Sequence, residues 1–161
     1  MLTLNYQLNI TVKTKIIYPI FLLLIVSFTA CKKEFPNDPF AIKDLSVNGC
    51  KTKGGTAKEI DPEYITIKTT DDYYILINHI NSMFNCEPGQ ITITITVSDN
   101  VISMDENESS SLADCICPYD LDFKLGPIKY GTYDLKFQKG GLTFKEYTLD
   151  FKESTDIKID F

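Results

Sequence analysis

Four cysteines, Cys50, Cys86, Cys115 and Cys117, are the residues whose chemistry this sequence makes most specific. An even number of cysteines in an oxidising compartment usually forms disulfides. Thiolates and an imidazole are also soft ligands that can hold zinc or Cu(I). The sequence therefore leaves three interpretations: two disulfides, a metal site made by His79, Cys86, Cys115 and Cys117, or free thiols.

The spacing of the last two cysteines favours disulfides. Cys115 and Cys117 lie two residues apart on a predicted strand, about 6.6 Å between Cα atoms, which is at the far limit for a bridge. No C-x-x-C pair exists, and two thiols that leave a strand on one side are unusual for structural zinc. We expect each cysteine to bond a distant segment. Of the two remaining pairings we favour Cys86 with Cys117 and Cys50 with Cys115, although nothing in the sequence orders them.

Other residues that could carry chemistry are better explained as structural. His79 has no obvious serine or cysteine partner, and no G-x-S-x-G motif exists. Asp105–Ser109 has oxygens at alternate positions like a calcium loop, but it lacks the turn glycine and the final glutamate of that loop. Asp120 and Asp122 lie ~7 Å apart on the solvent-facing side of one strand, a separation that could suit glycoside chemistry but that any soluble outer face also shows. We therefore expect no enzyme activity and no cofactor.

The strand that carries Cys115 and Cys117 is the best-determined element. Its side chains alternate between apolar and polar, as they do in a strand with one buried face. A turn at Gly126–Pro127 separates it from a second strand that begins near Tyr133. The predicted inward set is Cys115, Cys117, Tyr119, Leu121, Phe123 and Leu125.

The rest of the chain also reads as short strands separated by turns. Gln90–Ser98 alternates isoleucine with threonine, Tyr73–Phe84 is apolar on both faces like a central strand, and Gly140–Gly141 marks a hairpin. Asp105–Asp114 reads as a polar loop. No window has a helical period. The pattern predicts an all-β sandwich of about seven to nine antiparallel strands over residues 43–161.

The turn Ile128–Tyr133 resembles the tyrosine corner of immunoglobulin-like and fibronectin type III domains. In those families a tyrosine that enters a strand bonds back to the backbone across the turn. The resemblance implies this role for Tyr133 and a single immunoglobulin-like β-sandwich, and it implies nothing about function.

The first thirty residues are typical of an export signal. Lys13 and Lys15 precede the apolar run Ile16–Phe28, and no acidic residue is present in this segment. A membrane-spanning helix needs about 20 apolar residues, and this run is shorter and contains Pro19. We therefore expect residues 1–30 to be a signal peptide.

The end of this segment resembles the lipobox of bacterial lipoproteins. Thr29, Ala30 and Cys31 fit that motif, and Phe28 stands where leucine is usual. The resemblance implies that Cys31 is acylated and begins the mature chain, attached to a membrane through lipid. Lys32–Glu34 is similar to the tether of Bacteroidetes-type lipoproteins, so we expect residues 31–42 to be a tether and the protein to sit at the outer membrane.

Charge narrows the possible partners. The chain has 16 basic and 22 acidic residues, and all the basic ones are lysines. Two lysines fall in residues 1–30, so the remaining 14 basic and 22 acidic residues have a net charge of −8. An acidic surface without arginine matches nucleic acid poorly.

A last resemblance concerns the segments around the cysteines. Phe84–Cys86 and the run Cys115–Leu121 resemble an uncharacterised set of small bacterial lipoproteins. It implies no activity. We expect a non-catalytic binding or accessory module at the cell envelope, whose partner is an envelope protein or glycan. The alternative is a metal-binding lipoprotein that uses the Cys/His cluster.

Overall fold

The computed structural model describes residues 34–51, 61–70 and 72–161. Phe35–Phe161 forms one compact unit. The predicted signal peptide and the predicted acylation of Cys31 lie outside the described residues. No helix in the described part of the chain is long and apolar enough to cross a membrane.

The described residues form nine strands in two sheets, so the predicted all-β sandwich is confirmed. One sheet has the order β1-β6-β3-β2-β9 and the other has the order β4-β5-β7-β8. All pairs are antiparallel except β5 with β7, which is parallel and differs from the prediction. The strands are β1 Ala41–Asn48, β2 Tyr64–Thr69, β3 Ile75–Asn85, β4 Ile91–Ser98, β5 Val101–Glu108, β6 Ile116–Gly126, β7 Gly131–Lys139, β8 Leu142–Phe151 and β9 Asp156–Asp160.

The core lies between the sheets, where the inward side chains of both sheets interdigitate. Each strand contributes alternate residues because successive side chains point to opposite faces. The largest fully buried side chains come from both sheets. They are Phe137, Phe151, Ile65, Ile67, Ile75, Ile77, Ile102, Met104, Leu121, Leu125, Leu135 and Leu149.

The alternation predicted for β6 is confirmed over most of its length. Tyr119, Leu121, Phe123 and Leu125 are all buried. Cys115 is exposed and not inward, because it precedes the first residue of β6 and lies outside the alternation.

The two carboxylates on the other face of β6 are half-buried, although the sequence predicts them to be exposed. The Asp120 carboxylate accepts from the backbone N–H of Asn81 at 3.0 Å and pairs with the Lys51 amine at 2.6 Å. Burial, and then the charge of Asp120, raise the pKa of Asp122. Asp122 accepts from the side-chain amide of Asn48 at 3.4 Å, so Asp120 joins β6 to β3 and Asp122 joins β6 to β1.

The tyrosine corner is present. The Tyr133 hydroxyl donates to the Lys129 carbonyl at 3.0 Å. The corner follows Gly126–Pro127, where the chain leaves β6 in one sheet and enters β7 in the other. It is the feature that this sandwich shares with immunoglobulin-like domains.

The segment before β1 packs on the sandwich. β1 begins at Ala41, two residues before the predicted start of the domain. The Asp38 carboxylate accepts from the Lys43 amine at 2.7 Å and from the Tyr74 hydroxyl at 3.2 Å. The ring centroids of Phe35 and Tyr73 are 5.2 Å apart. Residues from Phe35 onward therefore belong to the folded unit, although the predicted tether extends to residue 42.

Candidate functional site

The four cysteines form two disulfides, Cys50–Cys117 and Cys86–Cys115. This confirms that both bonds join distant segments and that Cys115 does not pair with Cys117. The pairing that we favoured, Cys86 with Cys117 and Cys50 with Cys115, is wrong.

The order of the strands explains the observed pairing. β6 lies between β1 and β3. The chain that follows β1 donates a backbone hydrogen bond to the Pro118 carbonyl at 3.2 Å, which brings Cys50 to Cys117. On the other side of β6 the Cys86 N–H donates to the Cys115 carbonyl at 3.1 Å, just beyond the end of the β3–β6 ladder.

The predicted metal-ligand set does not assemble. The Sγ atoms of Cys50, Cys86 and Cys117 lie within 4.8 Å of one another, but all three belong to disulfides. A disulfide sulfur is not a thiolate ligand. His79 is not part of this group, and both of its ring nitrogens bond carboxylates.

His79 lies at the centre of a buried ionic network that links the two sheets. Its Nδ1 is 2.6 Å from Glu106 Oε1, and its Nε2 is 2.8 Å from Glu63 Oε1. His79 comes from β3 of one sheet, and Glu106 comes from β5 of the other. Their side chains are 1% and 4% exposed. A carboxylate this deeply buried is normally paired, as it is here.

Ser82 and Lys139 complete the network. The Ser82 hydroxyl donates to Glu106 Oε2 at 2.9 Å. The Lys139 amine donates to Ser82 Oγ at 2.7 Å and to the Met83 carbonyl at 3.0 Å, and it lies 3.7 Å from Glu106 Oε2. The serine bonds the carboxylate and not the imidazole, so these residues do not form the Ser–His pair that is common in covalent catalysis.

Glu106 is the central residue that the sequence prediction missed, because it was placed in a polar loop from Asp105 to Asp114. β5 continues to Glu108, and Glu106 is buried on it. The sequence does contain a pattern that indicates this burial, because Ile102, Met104 and Glu106 occupy alternate positions and so lie on one face of a strand. An ionisable residue on an apolar face predicts a buried polar site.

The two carboxylates favour the charged form of His79. Burial disfavours the charge, but the hydrogen bonds to Glu106 and Glu63 outweigh it and raise the pKa of His79 above its ordinary value of 6.5. A protonated imidazole donates from both nitrogens, which matches one carboxylate on each side.

Raising the pH is therefore expected to weaken the fold. Because the pKa of His79 is higher in the folded than in the unfolded chain, its stabilisation is complete below the unfolded value and is lost as pH rises through the folded value. We expect the urea midpoint to fall as the pH is raised through the range above about 6.5, the ordinary value of histidine in the unfolded chain. His79→Gln should remove most of this dependence, and a wild-type midpoint that stays constant over the range contradicts the assignment.

A cleft of about 470 Å³ opens beside this network, at the ends of β7 and β8 and next to β9. It brings together residues from both sheets. Two of its five lining residues are charged and three are apolar. The lining residues are Glu63, Lys139, Leu142, Phe144 and Phe161.

Two phenylalanine rings form the rim of the cleft. The ring centroids of Phe144 and Phe161 are 5.7 Å apart, and they lie 5.9 Å and 5.8 Å from the imidazole of His79. The two phenylalanines remain 38% and 47% exposed, and Leu142 at the mouth is 77% exposed. Large apolar side chains with this exposure, grouped around a polar floor, are the usual composition of a ligand site.

No family model, no curated protein and no solved structure matches this chain.

Proposed function

We propose that the protein is an exported, lipid-anchored module of the cell envelope, and that its cleft binds a neutral glycan without catalysis. The observation that carries the proposal is the exposed pair Phe144 and Phe161 above a polar floor. The proposal gives a role to the large apolar side chains that the domain leaves in water at this place.

The size and surface of the cleft suit sugar rings. A pyranose has an apolar face of C–H groups, which stack on aromatic rings, and a rim of hydroxyls, which need polar partners. Phe144 and Phe161 offer the rings, and Glu63 and Lys139 offer an acceptor and a donor in the same cleft. Its volume of about 470 Å³ lies in the range of small-ligand sites.

Charge favours a neutral ligand. Two cations, His79 and Lys139, face two carboxylates, Glu63 and Glu106, in one network. Because these charges balance, the floor has little net attraction for an anion or a cation. Neutral hydroxyls can still bond the exposed oxygen of a carboxylate and the exposed part of an amine.

The hydrogen bonds among the ionisable groups support a binding site without catalysis. Both nitrogens of His79 bond carboxylates, and Ser82 bonds Glu106 and Lys139. A general base needs a free acceptor directed at its substrate. These groups bond each other and hold the rim residues in position.

The glycan proposal is tested by binding to an array of neutral oligosaccharides, followed by calorimetric titration of the best one. Phe144→Ala and Phe161→Ala should each weaken binding about tenfold or more, since each removes an aromatic platform. Phe40→Ala is the matched control, because Phe40 is also 38% exposed but lies outside the cleft. Binding to no glycan, or equal binding by all four proteins, would disprove this role for the cleft.

The membrane anchor is supported by the lipobox-like sequence that ends at Cys31, and two disulfides fit a domain that folds outside the cytosol. Intact-mass analysis of protein from the envelope should show a chain that begins at an acylated Cys31. Cys31→Ala should abolish acylation and processing. An unmodified Met1 in the mature protein would contradict the anchor and leave the glycan proposal standing.

A metal-binding role is the second candidate, favoured by the three sulfur atoms of Cys50, Cys86 and Cys117 within 4.8 Å. It requires reduced cysteines, and its ligands would be these three without His79. A thiol assay of denatured protein from the envelope decides between the two roles. Free thiols together with zinc or copper retained through dialysis would support the metal, and their absence would exclude it.

A further inference from the structure

The two sheets have four edge strands, and β4 is the one whose edge is least protected. It ends the order β4-β5-β7-β8, and within the described residues it pairs only with β5. Its eight residues, Ile91–Ser98, carry no charge and no proline, and seven of them are β-branched. The eight pairs with β5 run without a bulge. A regular, uncharged edge of this kind is a template for another strand.

The other three edges are protected in the usual ways. β1 has a register shift between Lys43 and Ser46, and Asp44 within it has φ 55. β9 has only five residues, and three of them are charged. β8 carries Lys145 and Glu146, and its pairing with β7 shifts register. Charges and bulges on an edge prevent pairing with another sheet, and β4 has neither.

The sequence of β4 is complementary to itself when it is paired antiparallel. A two-fold axis perpendicular to the sheet, midway between Thr94 of one copy and Thr94 of the other, would place Thr92 opposite Thr96 and Ile93 opposite Ile95. Threonines would then meet threonines on the outer face, and isoleucines would meet isoleucines on the core face. Such cross-strand pairs stabilise sheets. An isologous contact of this kind closes as a dimer and does not continue into a fibre.

Charge and exposed apolar groups favour a second copy at this side. The chain has a net charge of −6, so two copies repel least where they meet through a strand without charge. β4 approaches β1, the edge of the other sheet on this side. These two strands expose Val97 at 48%, Leu45 at 38% and Val47 at 39%. Apolar side chains next to a free edge add area that pairing would bury.

We propose that two copies of this chain pair edge to edge through antiparallel β4 strands, joining their four-stranded sheets into one continuous sheet. The contact is at the β4 edge of the four-stranded sheet, and β8 forms the opposite edge. The glycan cleft includes Leu142 and Phe144 of β8, so it stays open in the dimer. The inference does not depend on the proposed ligand.

Site-specific photo-cross-linking of the full chain in intact cells tests the pairing. Thr96→p-benzoylphenylalanine places the probe on the outer face of β4, and Thr148→p-benzoylphenylalanine places it on an exposed threonine of β8 as the matched control. We expect a product of twice the monomer mass from position 96 and none from position 148. Peptide mapping should find the cross-link in β4 of the second copy.

A second substitution, Thr94→Lys, is introduced into the variant that carries the probe at position 96. It should reduce the yield of cross-linked dimer about tenfold or more, because two like charges would meet at the two-fold axis. Thr94 is exposed, so the urea midpoint of this variant should match that of wild type and show that the fold is retained. No dimer product, a product that contains a different protein, or an undiminished product in Thr94→Lys would each overturn the proposal.

Discussion

Glu106→Ala is expected to destabilise the domain by about 3–5 kcal/mol, because it leaves the charge of a buried histidine without its nearest counter-ion. Glu106 is buried and contacts His79, Ser82 and Lys139. Its removal leaves a donor of Ser82 without its acceptor and opens a small cavity between the sheets. Urea unfolding, followed by circular dichroism, measures the loss.

Two controls separate the network from the mere loss of a carboxylate. Glu146→Ala removes an exposed carboxylate that pairs with Lys136 at 3.2 Å, and it should cost less than ~1 kcal/mol. The double variant His79→Leu/Glu106→Leu should recover part of the loss, because no charge is left buried in it. If Glu106→Ala costs no more than Glu146→Ala, the network does not hold the sheets together.

Removal of the Cys50–Cys117 disulfide is the second large effect that we expect. The double variant Cys50→Ala/Cys117→Ala should lose about 4 kcal/mol, because the bond closes a loop across 67 residues and its release restores the freedom of the unfolded chain. Cys117 is also fully buried, so its truncation costs packing. Urea unfolding under non-reducing conditions measures this loss.

The second disulfide is the matched control. Cys86–Cys115 closes a loop across 29 residues, and Cys115 is exposed. Cys86→Ala/Cys115→Ala should therefore lose less stability than Cys50→Ala/Cys117→Ala, and the loop lengths alone account for a difference of about 0.7 kcal/mol. The reverse order would contradict the loop argument. Partial reduction with stepwise alkylation tests the pairing itself, since only Ile116 separates Cys115 from Cys117 and ordinary digestion leaves both in one peptide.

Much of the fold could be predicted because side-chain alternation is a local property. Leu121 and Phe123 point inward on β6, and Ile91 is buried on β4, as the period of two indicates. The tyrosine corner at Tyr133 was also readable, since it needs only a turn and the next strand. Glu106 is harder to predict because the polar run that contains it is typical of a loop, and this run hides the period of two that continues from Ile102 and Met104.

The candidate site was less predictable because its residues come from distant segments. His79 was recognised as a residue of interest, but its partners Glu63 and Glu106 lie 16 and 27 residues away. Phe144 and Phe161 have no local feature that marks a cleft. Phe161 continues the alternation of Ile157 and Ile159 like a core residue, and Phe144 falls among the polar positions of β8. Their exposure depends on which strands end beside them.

The sequence by itself determined the class of fold, the inward faces of the main strands and the formation of disulfides between distant cysteines. These follow from local periodicity, turn residues and cysteine number, which do not depend on the neighbours of a strand. Only the tertiary structure decided that Cys117 bonds Cys50, that β5 runs parallel to β7, and that Glu106 meets His79. The physical reason is strand order. With β6 between β1 and β3, and β5 facing β3 across the core, contacts between remote residues are set by packing, and no local pattern encodes that order.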